Sequence, residues 1–97
     1  MPEMHFHVRW PDGTEEACYS PSSIIRDFIA PGETYPLADF MTLVRTALGA
    51  ASDRVRAKYG FPCSAAAAQL SRLEQRGQSY AALPSARVTC LSITQGV

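Results

Sequence analysis

An excess of charge of either sign is what this 97-residue chain lacks most plainly, since nine Lys and Arg balance nine Asp and Glu. No global field therefore draws it to nucleic acid or to an anionic membrane, and neither is expected as a partner. No apolar run approaches the ~18 residues of a membrane span. The opening MPEMHFHVRW lacks the basic, then apolar, then small-residue order of a signal peptide, so a cytoplasmic location is expected. Cysteine is sparse: Cys18, Cys63 and Cys90 are an odd number without a CxxC pair, which points to reduced thiols rather than a disulfide framework. Glycine-rich phosphate loops, nucleotide fingerprints and nucleic-acid modules are absent, and no cofactor is expected. Repeats, low-complexity tracts and linkers are absent too, so residues 1–97 read as a single α+β domain. With 46% hydrophobic and 19% charged residues the composition is that of an ordinary globular chain. A core of this size buries only ~60–65% of the unfolded surface, which leaves room for stabilisation by an oligomeric partner.

The longest pattern present is PLADFMTLVRTALGAASDRVRAKYG at 36–60. Leu37, Phe40, Met41, Val44, Leu48, Ala51 and Val55 follow helical spacing and predict one buried face, while Asp39, Thr42, Thr46 and Asp53 predict a wet one. Pro36 suits the first turn, with Thr34 or Tyr35 as N-cap, and Asp39 suits the positive end of the helix dipole. Arg54, Arg56 and Lys58 suit the negative end. Gly60 supplies a left-handed stop that Pro62 enforces, and Phe61 is expected to fold back on Val55.

Around this helix the other elements fall into place. Met4, Phe6, Val8 and Trp10 alternate with His5, His7 and Arg9, the period of a half-buried strand. Pro11, Asp12 and Gly13 form a turn, and residues 14–20 return as a second strand. Two registers are open. A loop of residues 11–14 sets Trp10 opposite Glu15, Val8 opposite Ala17 and His7 opposite Cys18; a shorter loop with a glycine bulge sets Trp10 opposite Thr14 and Val8 opposite Glu16, a carboxylate on the buried side. The first is favoured because its only carboxylate on the apolar face, Glu15, stays near water. Ser20 and Pro21 offer the start of a short amphipathic helix carrying Ile24, Ile25, Phe28 and Ile29, ended by Pro31 and Gly32. Ser64 caps a further helix reaching Arg76 or Tyr80, antiparallel to the main one, with small residues at Ala47, Ala50, Ala51 and 65–68 allowing close approach. Pro84 breaks that pattern, and ARVTCLSIT at 86–94 is a third strand. The order β-β-α-α-α-β implies a small antiparallel sheet, an N-terminal β-hairpin plus a C-terminal strand, packed against two or three helices.

Three constellations carry chemistry. His5 and His7 share a strand face and, in the favoured register, Cys18 lies near them, an imidazole and thiolate set that suits zinc. Cys63 sits before a helix N-terminus, where a thiolate is stabilised, and either histidine could serve as its base. Arg45 and Arg56 share a flank of the main helix and could meet a phosphate or carboxylate. Each has a plainer reading: polar residues on an exposed strand face, cysteines packed in a turn and a strand, and cations matched to a helix dipole. The aromatics are mostly core, with Trp10 at the strand end expected to be partly exposed and, with Tyr35, to belong to an interface.

Four stretches, MPEMHFHVRWPDG at 1–13, CYSPS at 18–22, PGETYPLADF at 31–40 and ASDRVRAKYGFPCS at 51–64, make up a little under half of the chain. Together they resemble a small bacterial family of nitrogen-starvation-response proteins. The resemblance implies a gene neighbourhood with a nitrilase, an N-acetyltransferase, a radical-SAM protein and a flavin-dependent oxidoreductase, tied to nitrogen limitation and nitrile or cyanide use. It implies no particular activity, cofactor or catalytic residue, and it does not depend on histidine at His5 and His7. The expectation is a non-enzymatic accessory protein that binds itself or a protein of the same gene cluster through the hairpin face and the loop at 31–36. The alternatives are a small-molecule or metal-binding protein using His5, His7 and Cys18, and a cysteine-dependent enzyme built on Cys63.

Overall fold

A computed structural model describes residues 3–83 and 85–95; Pro84, expected to break a helix, lies outside them. The sheet has four strands, β1 (Met4–Arg9), β2 (Glu15–Ser20), β3 (Thr34–Pro36) and β4 (Arg87–Gln95), in the order β2-β1-β4-β3 with every pair antiparallel. Two helices, α1 (Leu37–Tyr59) and α2 (Ser64–Gln78), accompany it. The C-terminal strand thus joins the hairpin beside β1 and takes a central place. The three-residue β3 is an addition to the expected elements; it lies where an N-cap at Thr34 or Tyr35 was expected, and α1 starts from Pro36 instead.

Residues 20–29 also differ from expectation. The Ser20 hydroxyl donates to the carbonyl of Ser22 at 2.8 Å, so it is not free to cap a helix. Ser22 caps instead, its Oγ accepting the Ile24 N–H at 3.3 Å, and it opens a 3-10 turn at Ser23–Asp27 in place of two α-helical turns. The turn still delivers Ile25 and Ile29 to the core.

The alternating residues of β1 do what their period demands: Met4, Phe6 and Val8 are fully buried, with Val88 and Cys90 of β4 beside them. From α1 come Phe40, Met41, Val44, Ala47, Leu48 and Ala51, which confirms the predicted stripe, with Leu37 and Val55 half-buried at its ends. Gly60 takes φ 84°, and its N–H closes on the Arg56 carbonyl at 2.8 Å, so the left-handed stop is real. Phe61 does not fold back; it is 63% exposed, its ring 6.4 Å from that of Tyr59.

The helices pack through small residues, as expected of Ala47, Ala51 and Ala66, which are all buried. Gly77 is the tightest point. A Cβ there would stand 3.0 Å from Met41 Sδ and 3.4 Å from its Cγ, whereas Gly49 on α1 faces open space. Opposite outcomes are expected for the two glycines. Gly49→Ala should stabilise the fold by about 0.5–1 kcal/mol through helix propensity, and Gly77→Leu should destabilise it by about 1–3 kcal/mol through overpacking. Denaturant midpoints of the two variants check both signs.

Candidate functional site

The hairpin register decides which side chains meet. Trp10 donates its backbone N–H to the Thr14 carbonyl at 2.8 Å, and Gly13, at φ 88°, donates to the Trp10 carbonyl at 2.9 Å. That is the three-residue loop with a left-handed glycine, and it places Val8 opposite Glu16, Phe6 opposite Cys18, His7 opposite Ala17 and His5 opposite Tyr19. The longer-loop register favoured from the sequence is therefore corrected. Its objection, a carboxylate turned toward the core, is answered by chemistry from elsewhere: Glu16 accepts the Trp10 indole N–H at 3.0 Å and pairs with Arg76 of α2 at 3.4 Å.

The same register separates the proposed metal set. His5 and His7 lie on the face of the sheet turned away from the helices, and Cys18 lies buried on the other. Among the described residues no group of three or more His, Cys, Asp or Glu is gathered that could hold a metal ion. His7 Nδ1 stands 3.2 Å from Ser92 Oγ, and the His5 ring lies 6.1 Å from Tyr19. Burial pushes the Cys18 thiol up to about 12, and burial likewise raises Cys90; both thiols stay protonated at neutral pH and are poor nucleophiles. Cys63 precedes α2 as its N-cap residue, its N–H donating to Ser52 Oγ at 3.3 Å. Its neighbour is Tyr19 rather than a histidine: the Tyr19 phenol is raised by burial first, then by Cys63 and Glu3.

Arg45 is not a spare cation, because its Nε meets Glu74 of α2 at 2.7 Å. Trp10, expected to be partly exposed, is only 1% exposed. Its ring packs edge-on to Phe40 at 5.9 Å and stacks on Tyr80 at 5.9 Å, with the Arg76 guanidinium 5.5 Å from its centre. Tyr35 is half-buried on β3, its hydroxyl accepting the Ala30 N–H at 2.9 Å.

Two sets of residues went unread in the sequence. One is the cluster that locks the hairpin turn to the end of α2. Arg76 reaches Glu16, Asp12 at 3.8 Å, the Thr14 hydroxyl and the Tyr80 hydroxyl. The Thr14 hydroxyl and N–H donate to Asp12 at 2.6 and 3.0 Å. These two bonds, then the Tyr80 hydroxyl, hold Asp12 down at about 2 against an opposing effect of burial, with Arg76 adding least. Its signal was the Asp-x-Thr spacing of an Asx turn; the arginine sixty residues on gave none. Beside the cluster an open hollow of about 430 Å³ is lined by Glu16, Arg72, Gln75, Arg76 and Ser79. The other is the outer sheet face as a whole. Its positions are His5, His7 and Arg9 on β1, Ala17 and Tyr19 with Glu15 on β2, Thr89, Ser92 and Thr94 with Arg87 on β4, and Thr34 on β3. A bulge at Leu91, between the partners of His7 and Val8, keeps Ser92 on this face. Charge sits at both ends: at one Arg9 pairs with Glu15 at 3.3 Å, with Arg87 nearby in register, and at the other the Glu3 carboxylate meets the Tyr19 phenol.

The depressed Asp12 fixes a sign. A carboxylate lowered from 3.8 to about 2 on folding adds stability that is complete above the unfolded value and vanishes as pH falls through the folded one. The thermal midpoint of the wild type should therefore exceed that of Asp12→Asn at pH 6, and the gap should close between pH 4 and about 2. Arg76→Ala should cost about 1–3 kcal/mol by leaving Glu16 underpaired, measured by urea denaturation at neutral pH.

No helix among the described residues is long and apolar enough to cross a membrane. No curated protein and no solved structure matches the chain. A family model described as nitrogen starvation-induced protein NitG matches residues 5–93, nearly the whole sequence, and the chain belongs to that family.

Proposed function

We propose that the protein is a non-enzymatic accessory protein of nitrogen limitation that acts by protein contact, pairing with a second copy of itself through the outer sheet face and the adjoining loop at 31–36. The observation that carries this reading is the distribution of charge. Ionised side chains populate the exposed surfaces of α1 and α2, including Arg45, Asp53, Arg56, Lys58, Arg72 and Glu74, whereas the middle row of the sheet face presents Ala17, His7 and Ser92. Depletion of charge at the centre of a patch is the compositional mark of an interface. An uncharged central row can meet its own copy across a two-fold axis without like-charge repulsion there. The family likeness supports a setting of nitrogen limitation, and within that setting the enzymes of a nitrile or cyanide assimilation cluster are the other partners this face would serve.

Sedimentation equilibrium tests the reading. The wild type should be a concentration-dependent dimer. Ala17→Asp, which places a charge on an exposed position of the face, should raise the dimer dissociation constant by ~30-fold or more, the equivalent of about 2 kcal/mol, at an unchanged melting temperature. A wild type that is monomeric at every concentration, or a dimer indifferent to Ala17→Asp, would overturn it.

A further inference from the structure

The large apolar side chains left exposed among the described residues are Tyr59, Phe61 and Leu83, and two of the three meet at one place. At 23 residues α1 is ~35 Å long, against ~20 Å for the six-residue strands of the hairpin and ~30 Å for the nine-residue β4. The helix accordingly outruns the sheet. Its last buried side chain is Ala51, and none from 52 to 62 is buried. At the apex the rings of Tyr59 and Phe61 lie 6.4 Å apart, 56% and 63% exposed, with Lys58 Nζ 5.5 Å from the centre of the Tyr59 ring. Arg54 is tied back to Ser22 Oγ at 3.1 Å, whereas Arg56 and Lys58 make no ion pair among the described residues.

The negative pole of α1 explains cations in its last turn. It does not explain two adjacent rings in water, in a turn that Gly60 and Pro62 close without them. We infer that this tip docks on an acidic surface of a partner protein, its rings entering an apolar slot and Arg56 and Lys58 meeting carboxylates at the rim. Tyrosine and arginine are the residues that dominate such contacts once a pocket excludes water around them. A bilayer fits the tip less well, because two rings and a few cations amount to a single weak anchor and give only marginal, reversible attachment. The tip shares no residue with the sheet face, so it adds a second contact to the one proposed there, and neither stands or falls with the other.

Because the tip contributes nothing to the core, it can be altered in the whole protein without unfolding it. Benzoylphenylalanine at position 61 is irradiated in nitrogen-starved cells, and the cross-linked peptides are identified by mass spectrometry. The expected product is one partner protein joined through a segment rich in Asp and Glu. Binding of that purified partner should weaken at least tenfold in Tyr59→Ala/Phe61→Ala at an unchanged melting temperature and in Arg56→Glu/Lys58→Glu at a melting temperature lowered only by the lost helix-dipole contribution, with affinity falling as salt rises. Cross-linking to phospholipid, to a second copy of this chain, to segments without an acidic surplus, or to nothing would overturn the inference. So would an affinity indifferent to charge reversal at the tip.

Discussion

A carboxylate on the inward face of a hairpin must be paired, and the pairing of Glu16 organises much of this molecule. Left alone, it would cost more than the strand pairing around it returns. The Trp10 indole N–H and the Arg76 guanidinium together satisfy it. Because Arg76 belongs to α2, that pairing also fixes where the second helix ends relative to the turn. Tyr80, just past the helix, then closes over the indole, and Phe40 of α1 meets the same ring from its edge. One ionised group thus ties the first turn of the chain to both helices.

The features legible in the sequence were those that depend on near neighbours. The alternation from Met4 to Trp10, the helical stripe from Phe40 to Ala51 and the glycine stop at Gly60 are local patterns, and the structure obeys them. The hairpin register was not local. Two loops were sterically acceptable, and the one adopted needs a cation from position 76 that no rule about turns could supply. Choosing the other loop brought Cys18 beside His7 and made a metal set of them; a shift of one residue moves every β2 side chain to the opposite face. The strand at Thr34–Pro36 was equally illegible, since three residues have no period and one is a proline, a residue confined to sheet edges. Trp10 looked exposed because it ends a strand beside a turn, and it is buried because Tyr80 and Arg76 come to it. Phe61 looked as if it would pack, but α1 outruns everything it could pack against.

The two surfaces that remain differ in kind. The sheet's outer face is broad and polar with its ionised residues away from the central row, and its side chains are linked to one another by contacts such as Thr34 with Thr89 and His7 with Ser92. The helical tip is narrow, cationic and aromatic. The two buried thiols are kept neutral by their surroundings. That division of surface is what supports the proposal that this member of a nitrogen starvation-induced family holds other proteins near one another.

The side chain of Gln69 has a bearing on how the margins of the sheet are kept from adding further strands. From α2 its Oε1 accepts the Tyr19 N–H at 3.0 Å, a donor that β2 turns outward from the sheet. At the opposite border β3 is three residues long and ends on a proline that has no N–H to offer. One outward N–H of β2 is thereby taken by an amide standing in for a backbone carbonyl, and the other margin of the sheet is blunted by brevity. Strand addition, the hazard of a small open sheet, is hindered on both sides.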